Sequence, residues 1–333
     1  MPVFDVISFG ETMLRLTAPV GQRLETTPAL EVYVGGTESN TLTGLARLGL
    51  RTAWLSALPA TPVGRHVDAE LRRHGIDTSH VVWAGEHARL GIFYAEDAPP
   101  PIGARVHYDR AGSACALIDP EAVHYELVDE ARLLHLTGIT PALSNGTLIV
   151  FKRLIERAIS NNVPLSFDVN FRAKLWDSIV ASKVLEEACR QARLLFCTLA
   201  DAAELWGFSG TPEEVLRQMA RRFLSPGDEK TLILTLGSEG SAQLHNDIYT
   251  IEPAIPTGGT VRFGSGDAFS AGYLYAYLQG EHYRALHEQY NVTPLAFGNA
   301  LAALKRCIQG DIPIISPEDV RAVFQSKGGA RFR

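Results

Sequence analysis

The sequence has few cysteines and no long apolar run, and both shortages limit what the protein can be. Its four cysteines lie far apart in 333 residues and form no C-x-x-C pair, which argues against a zinc site or a disulfide framework and favours a reducing compartment. No run is apolar for long enough to span a bilayer, and the first residues, MPVFDVISFGE, lack a basic segment followed by an apolar one. We therefore expect a cytoplasmic protein whose cysteines are small core or surface residues.

Clusters of charge of one sign are also missing. Lysine and arginine are scattered along the chain and the net charge is −6, so the sequence shows no basic face for nucleic acid or for an anionic membrane. The ten histidines have no spacing typical of a metal site. With 46% apolar and 20% charged residues, the chain has the balance of a globular protein with a sizeable core. The expected partner is a small molecule.

Short apolar runs alternate with longer segments whose apolar residues lie three and four apart. This alternation predicts an α/β fold with a doubly wound, mainly parallel sheet flanked by helices on both faces. In such folds, ligands bind at the carboxyl ends of the strands. The predicted strands are DVISFG, RTAWLSAL, ARLLHLTG, VPLSFDVN, ARLLFCTL and KTLILTLG. The predicted helices include SNTLTGLARLG, GRHVDAELRRHG, NGTLIVFKRLIERAISNN, SKVLEEACRQA and TPEEVLRQMARRFL.

Two segments interrupt this alternation, at about residues 12–36 and 81–112. Both are strand-like and rich in turn residues, and neither has helical spacing. We expect them to pair into a small β-sheet lid over the ligand site. Because no linker or internal repeat divides the chain, we expect a single domain over residues 1–333.

The stretch TVRFGSGDAFSAGYLYAYLQG combines a glycine turn with the start of a helix. Gly264 and Gly266 allow a tight turn, and the helix that begins near Ser265 directs unpaired N–H groups and the positive end of its dipole at one point, which suits an anion. Asp267 in the first helical turn can accept a proton from a substrate hydroxyl that attacks a phosphate. Alternatively, this aspartate only complements the dipole, which typically contributes ~0.3–1 kcal/mol.

GSGDAFSAG resembles the signature of the ribokinase-like (PfkB) carbohydrate kinases, and EVYVGGTESNTLTGLARLG resembles the substrate-side block of the same family. Within that family, VYVGGTESN, VHYDRAGSACAL, LLHLTGITPAL and SFDVNFRAKLW are most similar to 2-keto-3-deoxygluconate kinases. The resemblance runs in order from about Val6 to Val323. It implies a ribokinase-like α/β core with a β lid, and an ATP- and Mg²⁺-dependent kinase that phosphorylates a sugar acid.

The resemblance also implies residue roles. Asp267 is the expected catalytic base, and the backbone of Gly264, Ser265 and Gly266 is expected to stabilise the transferring phosphoryl group. A strand followed by a glycine turn and an apparent hairpin, LILTLGSEGSAQLHNDIYTIEP, precedes this stretch. The residues expected at the nucleotide are Gly237, Ser238, Gly240 and Asn299.

Two arginines suggest an acidic substrate. Arg110 follows a lid segment and Arg172 follows a core strand, and guanidinium groups bind carboxylates in a bidentate manner. Each arginine taken alone is more simply a surface residue, but both lie in motifs that resemble the sugar-acid kinases. The other residues expected to contact the sugar are Gly35, Gly36, Asn40, Phe93, Tyr108, Asn170 and Asp311.

The sequence departs from the family pattern at two places. Val261 stands where members usually carry an aspartate that helps to order a monovalent-cation loop, so we expect little activation by K⁺. Leu199 and Ala202 stand at the two positions of the N-x-x-E motif, which helps to place Mg²⁺ waters and phosphates. Either their neighbours Asp201 and Glu204 substitute, or metal handling is weakened.

Two other functions remain open from the sequence. One is a neutral-sugar kinase of the same fold, similar to fructokinase or ribokinase. The other is a nucleotide- or sugar-binding protein with weak or no turnover, although a pure binder does not need Asp267. We also expect a homodimer or higher homo-oligomer, because an exposed small sheet has edges to protect.

Overall fold

A computed structural model describes residues 2–96, 103, 105–225 and 227–327. The strands are β1 (Val6–Phe9), β2 (Met13–Ala18), β3 (Glu31–Gly35), β4 (Thr52–Leu55), β5 (Ala57–Pro59), β6 (Ile76–Asp77), β7 (Val82–Ala84), β8 (Ile92–Glu96), β9 (Arg105–Asp109), β10 (Leu134–Thr137), β11 (Leu165–Asp168), β12 (Leu194–Thr198), β13 (Thr231–Thr235), β14 (Gly240–His245) and β15 (Ile248–Pro253).

Nine of these strands form the central sheet, in the order β15-β14-β13-β12-β11-β10-β1-β4-β6. In this spatial order, each neighbouring pair in the run β13-β12-β11-β10-β1-β4-β6 is parallel. Strands β14 and β15 form an antiparallel hairpin at one edge, and β14 also pairs antiparallel with β13. The hairpin turns at Asn246 and Asp247, whose φ angles of 49° and 61° suit a two-residue turn. The predicted mainly parallel, doubly wound sheet is confirmed.

The helices in the described residues are α1 (Thr37–Arg47), α2 (Pro62–Arg73), α3 (Asn145–Ser160), α4 (Ser178–Gln191), α5 (Leu199–Trp206), α6 (Pro212–Phe223), α7 (Ser265–Tyr277), α8 (Glu281–Tyr290), α9 (Pro294–Lys305) and α10 (Pro317–Lys327). Reciprocal side-chain caps fix two of the starts: Ser144 with Thr147 at α3, and Thr211 with Glu214 at α6. No helix in these ranges is long and apolar enough to cross a membrane.

The core lies on both faces of the central sheet because successive side chains of each strand point to opposite sides. Val6 of β1 and Phe196 of β12 pack in one apolar layer. Their neighbours Ile7 and Leu195 pack in the other layer. All four side chains are essentially inaccessible to solvent. Burial on both faces explains why these strands read as continuous apolar runs.

A separate four-stranded sheet, in the order β3-β2-β8-β9, contains strands from both of the segments that interrupt the α/β alternation. Its middle pair, β2 and β8, is parallel and joins the two segments. Val82–Ala84 lies outside this sheet and pairs with Ala57–Pro59, because the backbone of residues 57–59 continues beyond β4 in an extended form. Residues 97–102 and 104 of the second segment lie outside the described residues.

Candidate active site

The carboxyl ends of the parallel strands border a cavity of about 360 Å³, which we call the central cavity. Asp168 ends β11, Thr198 ends β12 and Thr235 ends β13, and all three line it. The small sheet contributes Met13 and Phe93 to the opposite wall. The cavity thus lies where an open α/β sheet binds its ligands, between the core and the small sheet.

Asp267 lies in the first turn of α7 and faces the central cavity. Thr37 Oγ1 donates a hydrogen bond to its Oδ1 at 2.5 Å, and Asn40 Nδ2 donates to its Oδ2 at 2.7 Å. Burial raises the pKa of Asp267, while these two hydrogen bonds and the charges of Arg172 and Lys305 act in the opposite direction. The result is an oriented carboxylate with an increased proton affinity, which suits a general base.

The turn before α7 leaves backbone donors open to the cavity. Gly264 has a φ of 75°, and a Cβ at this position would overlap the carbonyl oxygen of Asp311, so the turn requires glycine. Gly264 is also the N-cap of α7 and provides no side-chain cap. At Gly266 a Cβ would meet no atom within 4 Å, so its backbone faces open space. The N–H of Ser265 already donates to the carbonyl of Arg262 at 3.4 Å, which leaves those of Gly266 and Asp267 available to an anion.

A second cavity of about 510 Å³ lies beside the first, and Thr198, Thr235 and Gly266 line both. We call it the outer cavity. Among the predicted nucleotide residues, its walls include Gly237, Gly240 and Asn299, as well as Ser265.

The positions of two predicted nucleotide residues, Ser238 and Asn299, do not favour a direct side-chain contact with a nucleotide in the outer cavity. Ser238 lies in the exposed turn between Gly237 and Gly240 and does not line the outer cavity. The side-chain amide of Asn299 is bonded within the protein: its Oδ1 accepts from Ser241 at 3.0 Å, and its Nδ2 donates to the carbonyl of Pro253 at 3.1 Å. Asn299 can therefore form a wall of this cavity, but its amide is already occupied.

Arg110 and Arg172 both line the central cavity, but their surroundings differ. Arg172 is exposed, and its Nη1 donates to the carbonyl of Phe171 at 3.3 Å. Arg110 is buried and forms an ion pair with Glu11, whose Oε2 accepts from its Nε at 2.7 Å. Within the described residues, no hydrogen-bond donor reaches Glu11 Oε1. Glu11 thus fixes Arg110 in the wall and leaves Arg172 as the freer guanidinium.

Asp168 and Asp201 add two further carboxylates to the central cavity. Burial, followed by the charges of Asp201 and Asp267, raises the pKa of Asp168 to about 8, and burial raises the pKa of Asp201. Asp201 lies in the first turn of α5, where its N–H donates to the N-cap Thr198, whereas Glu204 is exposed and lines neither cavity. The described residues contain no group of three or more His, Cys, Asp or Glu arranged to hold a metal ion.

Glu38 is a buried acid that the sequence patterns do not single out. Its Oε1 accepts hydrogen bonds from Thr137, the last residue of β10, at 2.7 Å and from Thr140 in the segment that follows at 2.6 Å. Burial raises the pKa of Glu38 to about 7, despite these hydrogen bonds. The sequence signal for this contact is that Glu38 and the two threonines lie in GGTESN and LTGIT, within the stretches that resemble the sugar-acid kinases.

The glycine pair at the end of β3 packs tightly against its surroundings. A Cβ at Gly35 would lie 2.6 Å from the carboxyl carbon of Asp311, and one at Gly36 would overlap the carbonyl oxygen of Glu11. Asp311 pairs with Arg15 (Nε to Oδ2, 3.2 Å), and burial raises the pKa of Asp311 to about 6. The close approach brings the small sheet, α1 and the Asp311 loop to one edge of the cavity.

The remaining predicted sugar residues also line the central cavity. Asn170 has a φ of 40° and donates to Thr37 Oγ1 at 3.1 Å, so it supports the residue that orients Asp267. Phe93 and Tyr108 pair across β8 and β9 with ring centroids 5.8 Å apart, and Phe93 is the more buried of the two. Together they form an aromatic wall opposite the core.

Comparison with known proteins agrees with this geometry. The model of the pfkB family of carbohydrate kinases matches residues 3–317. The chain is 33% identical to 2-dehydro-3-deoxygalactonokinase of Haloferax volcanii, over 96% of each chain, and 27% identical to 2-dehydro-3-deoxygluconokinase of Thermoproteus tenax, over 84% of this chain and 83% of the relative. It superposes on the crystal structure of 2-dehydro-3-deoxygluconokinase from Thermotoga maritima with a TM-score of 0.86 at 26% identity, covering 97% and 98% of the two chains. The protein belongs to the pfkB family of carbohydrate kinases.

Proposed function

We propose that the protein transfers the γ-phosphate of ATP to a hydroxyl of a 2-keto-3-deoxy sugar acid, most simply 2-keto-3-deoxygluconate. The observation that carries this proposal is the position of the Asp267 carboxylate, at the N-terminus of α7 in a cavity that also exposes the guanidinium of Arg172. The names of the relatives from H. volcanii and T. tenax support the sugar-acid class. The galactonate-derived epimer remains the closest alternative within that class.

In this mechanism Asp267 accepts the proton of the substrate hydroxyl while the hydroxyl oxygen bonds to the γ-phosphorus and the bond from phosphorus to the bridging oxygen of ADP breaks. Thr37 and Asn40 hold the carboxylate in one orientation, which limits the loss of entropy at the transition state. The raised pKa of Asp267 favours uptake of the proton.

The transferring phosphoryl group lies, in this proposal, at the boundary between the two cavities. Gly266 lines both, and the N–H groups of Gly266 and Asp267 in the first turn of α7 are the donors proposed to bind it. Backbone N–H groups held in this way stabilise the negative charge on the equatorial oxygens without reorganisation. The nucleotide occupies the outer cavity, with the glycine turn Gly237–Gly240 and the buried Asn299 as walls.

Asp168 and Asp201 fit a Mg²⁺ ion that accompanies ATP. Mg²⁺ is usually held by one or two carboxylates together with waters and substrate phosphates. Both carboxylates line the central cavity, and burial raises the pKa of each although the charge of Arg172 acts in the opposite direction. When bound, the ion offsets negative charge on the transferring phosphate. Asp201, rather than Glu204, is the neighbour that replaces the missing N-x-x-E side chains in this proposal.

The carboxylate of the substrate is proposed to bind Arg172, with Arg110 beside it. The Nε and Nη2 of Arg110 already contact Glu11, so Arg172 carries more of the selectivity for an acid. A neutral sugar would leave Arg172 without this partner. The neutral-sugar kinase is therefore the competing function that an experiment must separate.

Replacement of Arg172 by alanine tests the proposal. A hydrogen bond to a charged group contributes roughly 1.5–3 kcal/mol, so we expect kcat/KM for the acid to fall about tenfold to a hundredfold while ADP affinity stays unchanged. Lys183→Ala is the matched control, because Lys183 is an exposed cation on α4 that lines neither cavity. An equal loss of kcat/KM for acidic and neutral sugars in Arg172→Ala would refute the carboxylate site.

We further propose that the small sheet mediates a homodimer. Among the described residues, its outer strands β3 and β9 each have one edge without a partner strand, and Val32 and Tyr108 are 53% and 40% exposed. Light scattering on the purified protein should give a mass of about twice 36.3 kDa. A monomeric mass at micromolar concentration would overturn this part of the proposal.

A further inference from the structure

Lys305, the last residue of α9, is a buried cation beneath the turn that begins α7. Its side chain is fully buried, and its Nζ donates to the carbonyl oxygens of Ile308 and Gly310 at 2.9 Å each. Burial lowers the pKa of Lys305 to about 8, so the ammonium form persists at neutral pH. A buried ammonium group is costly unless it is well solvated by the protein, and here backbone carbonyls solvate it.

The loop that Lys305 binds supports the anion-binding turn directly. A Cβ at Gly264 would lie 3.3 Å from Lys305 Cε and would overlap the carbonyl oxygen of Asp311, so lysine and loop pack against the backbone of this turn. The segment before the turn is also tied to α9, because Val261 N donates to the carbonyl of Arg306 at 3.1 Å. Any shift of the Lys305 loop therefore moves Gly264.

The charges around the ammonium favour its position behind the site. The negative charges of Asp311 and Asp267 raise the pKa of Lys305 and so stabilise its ammonium form, while the positive charge of Arg15 lowers that pKa. Arg15 is itself paired with Asp311 and lies over the ring of Phe263 at 4.3 Å. An ammonium group held by carbonyl oxygens resembles a K⁺ ion in a carbonyl cage.

We propose that Lys305 is a positioning residue for phosphoryl transfer, whose ammonium group acts as a built-in monovalent cation that holds residues 308–311 beneath Gly264 and keeps the first turn of α7 directed at the transferring group. This inference rests on the proposed kinase function. Because the Lys305 side chain supplies the positive charge that the carbonyls of Ile308 and Gly310 solvate, the apolar Val261 nearby does not have to help bind an ion.

Lys230 provides a matched control. It is also a buried lysine, with its pKa lowered to about 8 by burial, and its Nζ donates to the carbonyls of Cys189, Arg190 and Phe223. It precedes β13, at the end of the sheet opposite the cavities. A merely structural role for Lys305 would make the two lysines behave alike.

The test compares Lys305→Met with Lys230→Met in kcat, KM and ADP affinity, below the melting temperature of each variant. Both should lower Tm, but only Lys305→Met should lower kcat, by about tenfold or more, with the KM for sugar and the Kd for ADP within about threefold. In Lys305→Ala, K⁺ or methylammonium should restore kcat in a saturable manner and tetramethylammonium should not. Wild-type kcat in both Lys305 variants would overturn the proposal.

A measurement on the wild-type protein covers the case in which the Lys305 variants do not fold. The kcat in K⁺ should equal that in tetramethylammonium within about twofold, because the lysine already fills the carbonyl cage. Saturable, several-fold activation by K⁺ would overturn the proposal even though the kinase function stands. Absence of ADP release with every sugar would instead overturn the kinase function itself.

Discussion

Replacement by asparagine tests the role of Asp267, because the amide oxygen can still accept from Asn40 Nδ2 and the Thr37 hydroxyl can reverse its role and accept from the amide nitrogen. The Asp267→Asn variant keeps the size of the side chain but cannot accept the proton, so we expect turnover to fall by ~10²–10⁴-fold with ADP affinity unchanged. Asp177→Asn, at the exposed N-cap of α4, is the control for a simple helix-terminus effect. The measurement is the steady-state kcat of both variants. A near-wild-type kcat in Asp267→Asn would show that Asp267 only complements the helix dipole and is not the base.

The raised pKa of Glu38 predicts a pH-dependent contribution to stability. The folded protein retains a proton on Glu38 that the unfolded chain, with a pKa of 4.5, releases between about pH 4.5 and 7, so stability falls as pH rises through that window. Glu38→Gln removes this titration, and its amide oxygen can still accept from Thr137 and Thr140. Between pH 5 and 8, the free energy of unfolding should shift by roughly 2–3 kcal/mol in favour of the variant.

Urea unfolding of the wild type and of Glu38→Gln at several pH values measures that difference. Parallel dependence of the two proteins on pH would show that Glu38 is ionised in the folded state throughout the range.

At the scale of single residues, the sequence predicts the groups in local motifs and misses those that depend on distant partners. Asp267, Gly264 and Gly266 lie in one short stretch whose geometry follows from helix-terminus chemistry. Glu11 is identified only when the fold places it beside Arg110, 99 residues away. Lys305 is similar: nothing in a small-residue helix indicates that its final side chain turns inward beneath another helix.

At the scale of elements, the small sheet is predicted to close over the sugar. Phe93 and Tyr108 line the central cavity from β8 and β9, so a bound sugar adds contacts to both strands. Amide exchange in peptides covering residues 92–96 and 105–109 should slow when saturating sugar is added. Peptides from β12, in the middle of the central sheet, serve as the control, and unchanged exchange in both strands of the small sheet would refute the closure.

Long elements with a clear apolar pattern can be predicted from this sequence. Short elements, and strands whose partner lies elsewhere in the chain, cannot. The apolar runs of β1 and β10 to β13 identify those strands because both faces are buried. The helix Leu199–Trp206 has only 8 residues, too few for its periodicity to be distinguished from a loop. Val82–Ala84 pairs with β5 and not with the small sheet. The backbone groups of β5 that it binds are positioned by the preceding strand β4, which a local sequence pattern does not reveal.

At the scale of the whole molecule, alternation of strands and helices predicts the layers and the edge at which ligands bind, since parallel strands have their carboxyl ends on one side. It does not predict which segments of the small sheet pair, because β2 and β8 are separated by more than 70 residues of the chain. Contacts at such separation depend on the packing of the entire domain, which short-range patterns do not contain.

The most direct test of the central claim is ADP release by the wild-type protein, with ATP and Mg²⁺, across a panel of sugar acids and neutral sugars. The panel contains 2-keto-3-deoxygluconate, its galactonate epimer, fructose and ribose. A carboxylate bound at Arg172 and Arg110 predicts that kcat/KM for at least one of the acids exceeds that for both neutral sugars by about tenfold or more. Equal kcat/KM values for acids and neutral sugars would contradict the account and favour a fructokinase- or ribokinase-like enzyme, and no ADP release with any sugar would indicate a binding protein.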